Sequence, residues 1–142
     1  MCQYSATDGV ASQWHDVHIG SFATGGAGLV MMEATGVLPE GRISINCLGL
    51  WNDQQRDALK PIVEFAHTIG TKIGIQLAHA GRKGSTMPPG SDHPIASEDE
   101  GGWNAPAPSA IAFGKMPTPH EMNETEIANT VKALAASAQR AV

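Results

Sequence analysis

The sequence is poor in cysteine, in positive charge and in long hydrophobic runs. It contains two cysteines, Cys2 and Cys47, which lie far apart and form no Cys-x-x-Cys spacing. Neither a disulfide framework nor a zinc site is therefore indicated. Reduced thiols fit a cytoplasmic protein best, and we expect that location.

The charge balance and the hydropathy argue against two classes of partner. Lys and Arg number 9 against 14 Asp and Glu, which gives a formal net charge of −5. Binding to nucleic acid needs an excess of basic side chains. No window holds the roughly 20 apolar residues of a membrane span, and the N-terminus lacks the layout of a signal peptide. We expect neither nucleic acid nor a membrane as a partner.

Glycine and proline are plentiful, at 16 and 9 residues, and they separate several periodic segments. A first helix is predicted from Ser12 to Gly25, with Trp14, Val17, His18 and Phe22 on a helical spacing. The run 28–33 is nearly continuously apolar, which predicts a strand buried on both faces. A second helix is predicted over about 52–69 and a second strand over 72–77.

The remainder of the chain is predicted to be a long loop, about 84–122, and a last helix. Asn123 and Glu126 have the spacing of a capping box. An apolar stripe then predicts the inner face of that helix: Ile127, Val131, Leu134 and Ala138.

Alternating strands and helices predict an α/β fold with a parallel sheet. The chain starts on Met1 without a leading strand and stops within a helix, so we expect a fragment truncated at both ends. A strand is presumed just before Cys2. Since a closed TIM (β/α)8 barrel needs eight strands, we expect an incomplete barrel, roughly its first three βα units, forming one partial domain over 1–142.

A cluster of polar and cationic side chains follows the second predicted strand. Gln76 lies on the strand, where an amide would be buried and would need partners, and His79, Arg82 and Lys83 come directly after it. Strand carboxyl ends are where α/β folds place their chemistry. The cluster predicts a site for an anionic or electron-accepting ligand, and a ring with alternating C=O and N–H edges would satisfy Gln76.

Other candidate residues lie in the first third of the chain. Cys2 and Tyr4 point to the same side of an extended backbone, where a thiol and a phenol could tune a redox ring and donate a proton. A buried Cys and a surface Tyr are the simpler alternative. His15 and His18 lie one helical turn apart and could share a metal, although packing on, or capping, the helix is the simpler role.

Seven segments together resemble the old yellow enzyme family, in its bacterial NADPH dehydrogenase and xenobiotic reductase branch. The resemblance extends over essentially the whole chain. The segments are Met1 to Ala6, Trp14-His15-x-x-His18, Gly25 to Leu29, Glu33-Ala34-Thr35, Pro39 to Ile43, Leu48 to Trp51, and Gln76 to Lys83.

The resemblance implies an FMN-binding TIM barrel in which NADPH reduces the flavin and a hydride passes to an activated alkene. It implies flavin contacts for Met1, Cys2, Ala34 and Gln76, with Cys2 adjusting the redox potential. Tyr4 would line the substrate pocket as the catalytic residue, and Arg82 and Lys83 would lie near the flavin or the substrate. The whole protein would be a homo-oligomer, with no metal.

The same family places further parts of its site beyond Val142. They are the histidines that hold the substrate carbonyl oxygen and the loops that bind the flavin phosphate. We therefore expect this chain alone to be inactive. Two other hypotheses stay open: a metal-dependent barrel hydrolase using His15, His18 and His79, and a non-catalytic fragment.

Overall fold

The computed structural model describes all 142 residues and shows a parallel two-stranded sheet with helices on one side. Strand β1 (Leu29–Gly36) pairs with β2 (Lys72–Ala78), with a bulge between Met32 and Ala34. Helix α1 (Gln13–Thr24) precedes β1, and α2 (Asp53–Thr68) connects the two strands. The predicted alternation of helix and strand is confirmed.

Side-chain caps explain where the helices begin. Each of the three α-helices starts with a capping box, whose N-cap residues are Ser12, Asn52 and Asn123. Such caps satisfy amide groups that the first helical turn leaves unpaired. Gly70, at φ +84°, follows the end of α2. Pro61 lies inside α2, well beyond its first turn.

The core lies between the sheet and the helices. Val30 and Met32 of β1 face this core, as do Leu59 and Ile62 of α2. The long connection after β1 also contributes buried leucines. The complete set of core residues is Ala6, Ile19, Val30, Met32, Leu48, Leu50, Leu59 and Ile62.

The other side of the sheet is uncovered, and the prediction of a strand buried on both faces is wrong for this chain. Leu29 and Met31 are 60% and 56% exposed. Successive strand residues point to opposite faces, and helices cover only the face of Val30 and Met32. We call the uncovered side, with Leu29, Met31, Gly74 and Gln76, the open face.

Helix α1 turns a different face to the core than its apolar spacing suggests. Trp14 and Val17 are exposed, whereas His15, Ile19 and Ala23 are buried. Small residues allow close contact here, since a Cβ on Gly20 would meet Phe65 at 3.4 Å. The buried face of α1 therefore contains a polar side chain that needs a partner.

Helix α3 (Glu124–Arg140) is attached mainly at its C-terminal end. Ser137 Oγ donates to the carbonyl of Leu50 at 3.0 Å, and Arg140 pairs with Asp53 at 3.0 Å. The predicted inner stripe is exposed, as Val131 shows at 61%. That prediction is wrong because no element of this chain packs against the stripe.

The long segment before α3 contains a few short elements. They are a 3-10 turn (Glu98–Glu100) and strands β3 (Pro106–Ala107) and β4 (His120–Glu121), which pair in parallel. None of the helices combines the length and apolar character that crossing a membrane would take.

Two leucines on opposite sides of the sheet test this arrangement. Leu48 is fully buried and Leu29 is 60% exposed. Leu48→Ala should lower the free energy of unfolding by about 2–5 kcal/mol because it leaves a cavity. Leu29→Ala, the matched control, should change it by no more than about 0.5 kcal/mol. Urea unfolding measures both, and equal losses would contradict the one-sided core.

Candidate functional site

The N-terminal segment, residues 1–6, lies beside the carboxyl end of β1. The backbone N–H of Gln3 donates to Oε2 of Glu33. Ala6 N–H donates to the carbonyl of Asn46 at 3.0 Å, and the Asn46 amide donates back to Ala6 at 3.1 Å. These hydrogen bonds hold the segment through Gln3 and Ala6. The segment therefore lies between β1 and the connection that follows β1.

A buried pair of side chains holds this arrangement from within. His15 Nε2 lies 3.1 Å from Oε1 of Glu33, and both side chains are almost fully buried. His15 Nδ1 accepts the Ser12 N–H at 3.0 Å, so the ring donates to Glu33 through the proton on Nε2. Every polar atom of the pair has a partner, which is the condition for keeping such groups in a core.

The backbone of Tyr4 has a conformation that few residues favour. Its φ is +53°, a left-handed conformation that costs a non-glycine residue about 1–3 kcal/mol. Partial burial raises the pKa of the Tyr4 phenol, and the nearby Cys2, Cys47 and Glu33 raise it further. The phenol is therefore protonated at neutral pH and can donate a proton.

Three of the predicted flavin-contacting residues come together at the edge of the open face. Ala34 and Gln76 are register partners in the sheet, so their side chains share a face. Cys2 lies near the backbone of Ala34. Gln76 is exposed, contrary to the expected burial, because the open face has no covering element. Its amide makes no hydrogen bond within the chain and can bind an external donor and acceptor together.

Three other predicted site residues lie elsewhere or are already engaged. Met1 is fully exposed. Arg82 donates to the carbonyl of Ile111 at 2.6 Å and to Ser109 Oγ at 3.0 Å. Lys83 lies 4.1 Å from the ring centroid of Phe113. In this structure both cations hold the 109–113 segment, which leaves two polar groups at the strand end without a partner in the chain, the amide of Gln76 and the buried Nε2 of His79.

The three histidines of the metal hypothesis are not brought together. His15 pairs with Glu33, and His18 stacks on the ring of Trp14 and meets the ring of Phe22 edge-on. Burial lowers the pKa of His79, whose Nδ1 accepts the Gly81 N–H at 3.2 Å. No group of three or more His, Cys, Asp or Glu side chains is arranged to hold a metal ion. The hydrolase hypothesis therefore loses its site.

Sequence reasoning missed two features next to these residues. Cys47 lies near Cys2, although no spacing connects the two cysteines. The Arg42 guanidinium lies 4.9 Å from the ring centroid of Trp103 and 5.5 Å from that of Trp51. Arg42 also donates to the carbonyl of Ile45 at 3.0 Å, so it shapes the connection that carries Cys47.

One protein family and several known proteins are similar to this chain. The pattern of the NADH:flavin oxidoreductase / NADH oxidase family matches residues 1–142. An NADH:flavin oxidoreductase of Gibberella zeae is 46% identical over 147 residues, covering 100% of this chain and 36% of that protein. An NADPH dehydrogenase of Geobacillus thermodenitrificans is 42% identical over 144 residues, covering 99% and 38%. The chain thus spans well under half the length of these relatives.

Solved structures agree with the fold. Morphinone reductase superposes with a TM-score of 0.78 at 26% identity, over 99% of this chain and 39% of that one. Old yellow enzyme from Pichia sp. reaches a TM-score of 0.82 at 26% identity, over 99% and 37%. The chain has the α/β arrangement of part of a TIM barrel, without a closed barrel.

The buried pair can be tested against an exposed pair of the same chemistry. His15→Ala leaves the Glu33 carboxylate buried without its main partner and should cost about 3–5 kcal/mol of unfolding free energy. His120 pairs with Glu126 at 3.0 Å, but at the surface, where ion pairs contribute little. His120→Ala should therefore shift the urea midpoint far less. Similar shifts for the two variants would contradict a structural role for the His15–Glu33 pair.

Proposed function

Because the chain belongs to the NADH:flavin oxidoreductase / NADH oxidase family, we propose that it forms the ring-binding wall of an FMN site. In the whole protein, NADPH would be the electron donor and an activated alkene, a small molecule, the acceptor. This activity is that of a flavin-dependent ene-reductase or NADPH dehydrogenase.

The proposal rests on one observation, the unpaired amide of Gln76 beside Ala34 on the open face. An amide offers a donor and an acceptor together, which matches the alternating polar edge of a flavin ring. Ala34 has a side chain small enough for a planar ring to approach its backbone. Cys2, which lies near Ala34, brings a thiol to the same edge.

Bound FMN would supply hydride transfer, while the protein sets its position and electronic surroundings. In that arrangement Gln76 would orient the polar edge of the ring and Cys2 would adjust its redox potential. Tyr4 would lie over the site and act as the proton donor, because its raised pKa keeps the phenol protonated. Arg82 and Lys83 would contribute to the substrate side only if they leave the 109–113 segment.

We also propose that residues 1–142 act as a partial FMN-binding domain, roughly the first three βα units of the barrel. The phosphate cradle and the groups that polarise the substrate carbonyl would come from the rest of the whole protein. The chain alone would then bind FMN weakly and oxidise no NADPH. A cytoplasmic location suits its two free thiols, and the whole protein would be a homo-oligomer.

A segment exchange tests the function. Residues 1–142 replace the matching segment of the NADPH dehydrogenase of Geobacillus thermodenitrificans, which is 42% identical over 99% of this chain. The folded chimera should bind FMN and reduce a small cyclic enone with NADPH. Gln76→Leu should weaken FMN binding about tenfold, the effect of about 1.4 kcal/mol. Gln54→Leu, an exposed glutamine on α2, is the control and should change nothing. A folded but colourless chimera, or equal behaviour of the two variants, would contradict the proposal.

The chain itself gives a second test that does not depend on the chimera. Nuclear magnetic resonance spectra are recorded during titration with FMN. The signals of the Ala34 backbone amide and the Gln76 side-chain amide should shift, with weak and saturable binding. Gln76→Leu should reduce the shift at Ala34, whereas Gln54→Leu should not. Shifts confined to other residues would contradict the assignment of the open face.

The role of Tyr4 is tested in the same chimera. Tyr4→Phe keeps the ring and removes the proton donor, so enone reduction should slow by about 10²-fold, as expected for a lost general acid. Reduction of the flavin by NADPH should be unaffected, because that half-reaction needs no proton from the phenol. Stopped-flow absorbance separates the two half-reactions. An unchanged rate of enone reduction would show that Tyr4 is not the proton donor.

A further inference from the structure

A buried glutamine on α2 joins two stretches of chain that meet beside the candidate site. Gln55 lies in the first turn of α2, and its side chain is fully buried. Its Oε1 accepts the backbone N–H of Trp51 at 2.8 Å and that of Asn52 at 3.2 Å. Its Nε2 donates to the carbonyl of Asp8 at 3.0 Å. One amide therefore binds both the connection between β1 and α2 and a turn near the N-terminus.

The turn that Gln55 holds is a tight one. Thr7 and Val10 exchange two backbone hydrogen bonds, at 3.2 Å and 2.9 Å. The residues between them, Asp8 and Gly9, have φ values of +49° and +76°. Positive φ at both central residues is characteristic of a type I′ turn, for which Asp-Gly is a preferred pair. Gln55 thus binds a carbonyl in the middle of a two-residue loop.

The turn also packs closely against the connection. A Cβ on Gly9 would lie 2.5 Å from Nε2 of Gln55 and 2.5 Å from the ring of Trp51. The carbonyl of Gly9 accepts the N–H of Gly49 at 2.9 Å. The ring of Trp51 lies against Gly49 as well, where an added Cβ would clash with it. Two hydrogen bonds and one indole ring therefore hold the turn to the connection.

These contacts constrain the segment that carries Tyr4. Ala6 comes directly before the turn, and it exchanges hydrogen bonds with Asn46 of the connection. Tyr4 lies between Ala6 and Gln3, whose N–H donates to Glu33. The φ of Tyr4, +53°, is a costly conformation that persists only where the surrounding chain determines it. The turn and the connection supply that constraint on the C-terminal side of Tyr4.

We propose that Gln55 is a positioning residue for Tyr4, and that it acts by holding the 7–10 turn and the connection together. Without the Nε2 donor the turn is released, and Tyr4 is no longer held in its left-handed conformation. This positioning is a property of the chain itself and can be tested without any flavin. Its consequence for enone reduction rests on the proposed function, in which Tyr4 is the proton donor.

Gln55→Glu removes the donor and keeps the helix cap. At about pH 8, well above the ordinary pKa of a carboxyl group, a glutamate still accepts from the N–H groups before α2 but offers none to Asp8. Gln54→Glu, at an exposed position of the same helix, is the matched control. In nuclear magnetic resonance spectra of the chain, Gln55→Glu should lower the heteronuclear NOE of the Tyr4 amide, and Gln54→Glu should not. An unchanged Tyr4 signal in folded Gln55→Glu would overturn the proposal.

A second pair of variants disturbs the same contact from the turn, and it decides the question if Gln55→Glu does not fold. Gly9→Ala places a Cβ against Gln55 and Trp51 and leaves the N-cap of α2 unchanged. Gly26→Ala is its control, because Gly26 has a similar φ of +87° but no atom within 4 Å of the added Cβ. Only Gly9→Ala should lower the NOE of the Tyr4 amide. Equal NOE values in the two variants would contradict the proposal.

A double-mutant cycle in the chimera tests whether Gln55 acts through Tyr4. Gln55→Glu alone should slow enone reduction about tenfold, as expected for one lost hydrogen bond, and leave flavin reduction by NADPH unchanged. In a chimera that already carries Tyr4→Phe, Gln55→Glu should slow enone reduction no further. Equal losses in both backgrounds would show that Gln55 does not act through Tyr4. If Tyr4→Phe alone has no effect, the proposed role of Tyr4 fails instead, and the NOE values decide the positioning.

Discussion

The buried carboxylate of Glu33 is the interaction on which the candidate site depends. One of its oxygens accepts the backbone N–H of Gln3, and the other contacts His15 Nε2 at 3.1 Å. One side chain of β1 thereby joins α1 and the N-terminal segment. Because a buried charge without partners is very costly, the segment gains stability only where its Gln3 N–H can meet this carboxylate. That position also places Cys2 near Ala34.

The sheet separates packing from chemistry. Val30 and Met32 face the helices and the core, while Ala34 and Gln76 share the uncovered side. The bulge between Met32 and Ala34 separates the part of β1 that packs in the core from the part that carries Ala34 on the open face. Side chains on the helix face stabilise the fold, and polar side chains at the strand ends are left for binding. This division is typical of α/β proteins, whose sites lie at the carboxyl ends of the strands.

Local patterns in the sequence predicted the helices and strands, because caps and short apolar runs are local signals. The flavin contacts of Cys2, Ala34 and Gln76 were implied by the family resemblance and not by any local pattern. The partner of His15 and the hydrogen bonds that occupy Arg82 could not be predicted, since each joins residues distant in sequence. The burial of Leu29 and of the α3 stripe was overestimated because an apolar pattern does not reveal whether a covering element is present.

Amide hydrogen exchange at Gln3 tests the central role of Glu33 most directly. A terminal backbone amide normally exchanges at the rate of an unstructured peptide, because chain ends open easily. If the buried carboxylate holds Gln3, its N–H should exchange slowly, with protection approaching that of the core strand β1. Exchange at the rate of a free peptide, in a chain whose β1 amides are protected, would contradict the account.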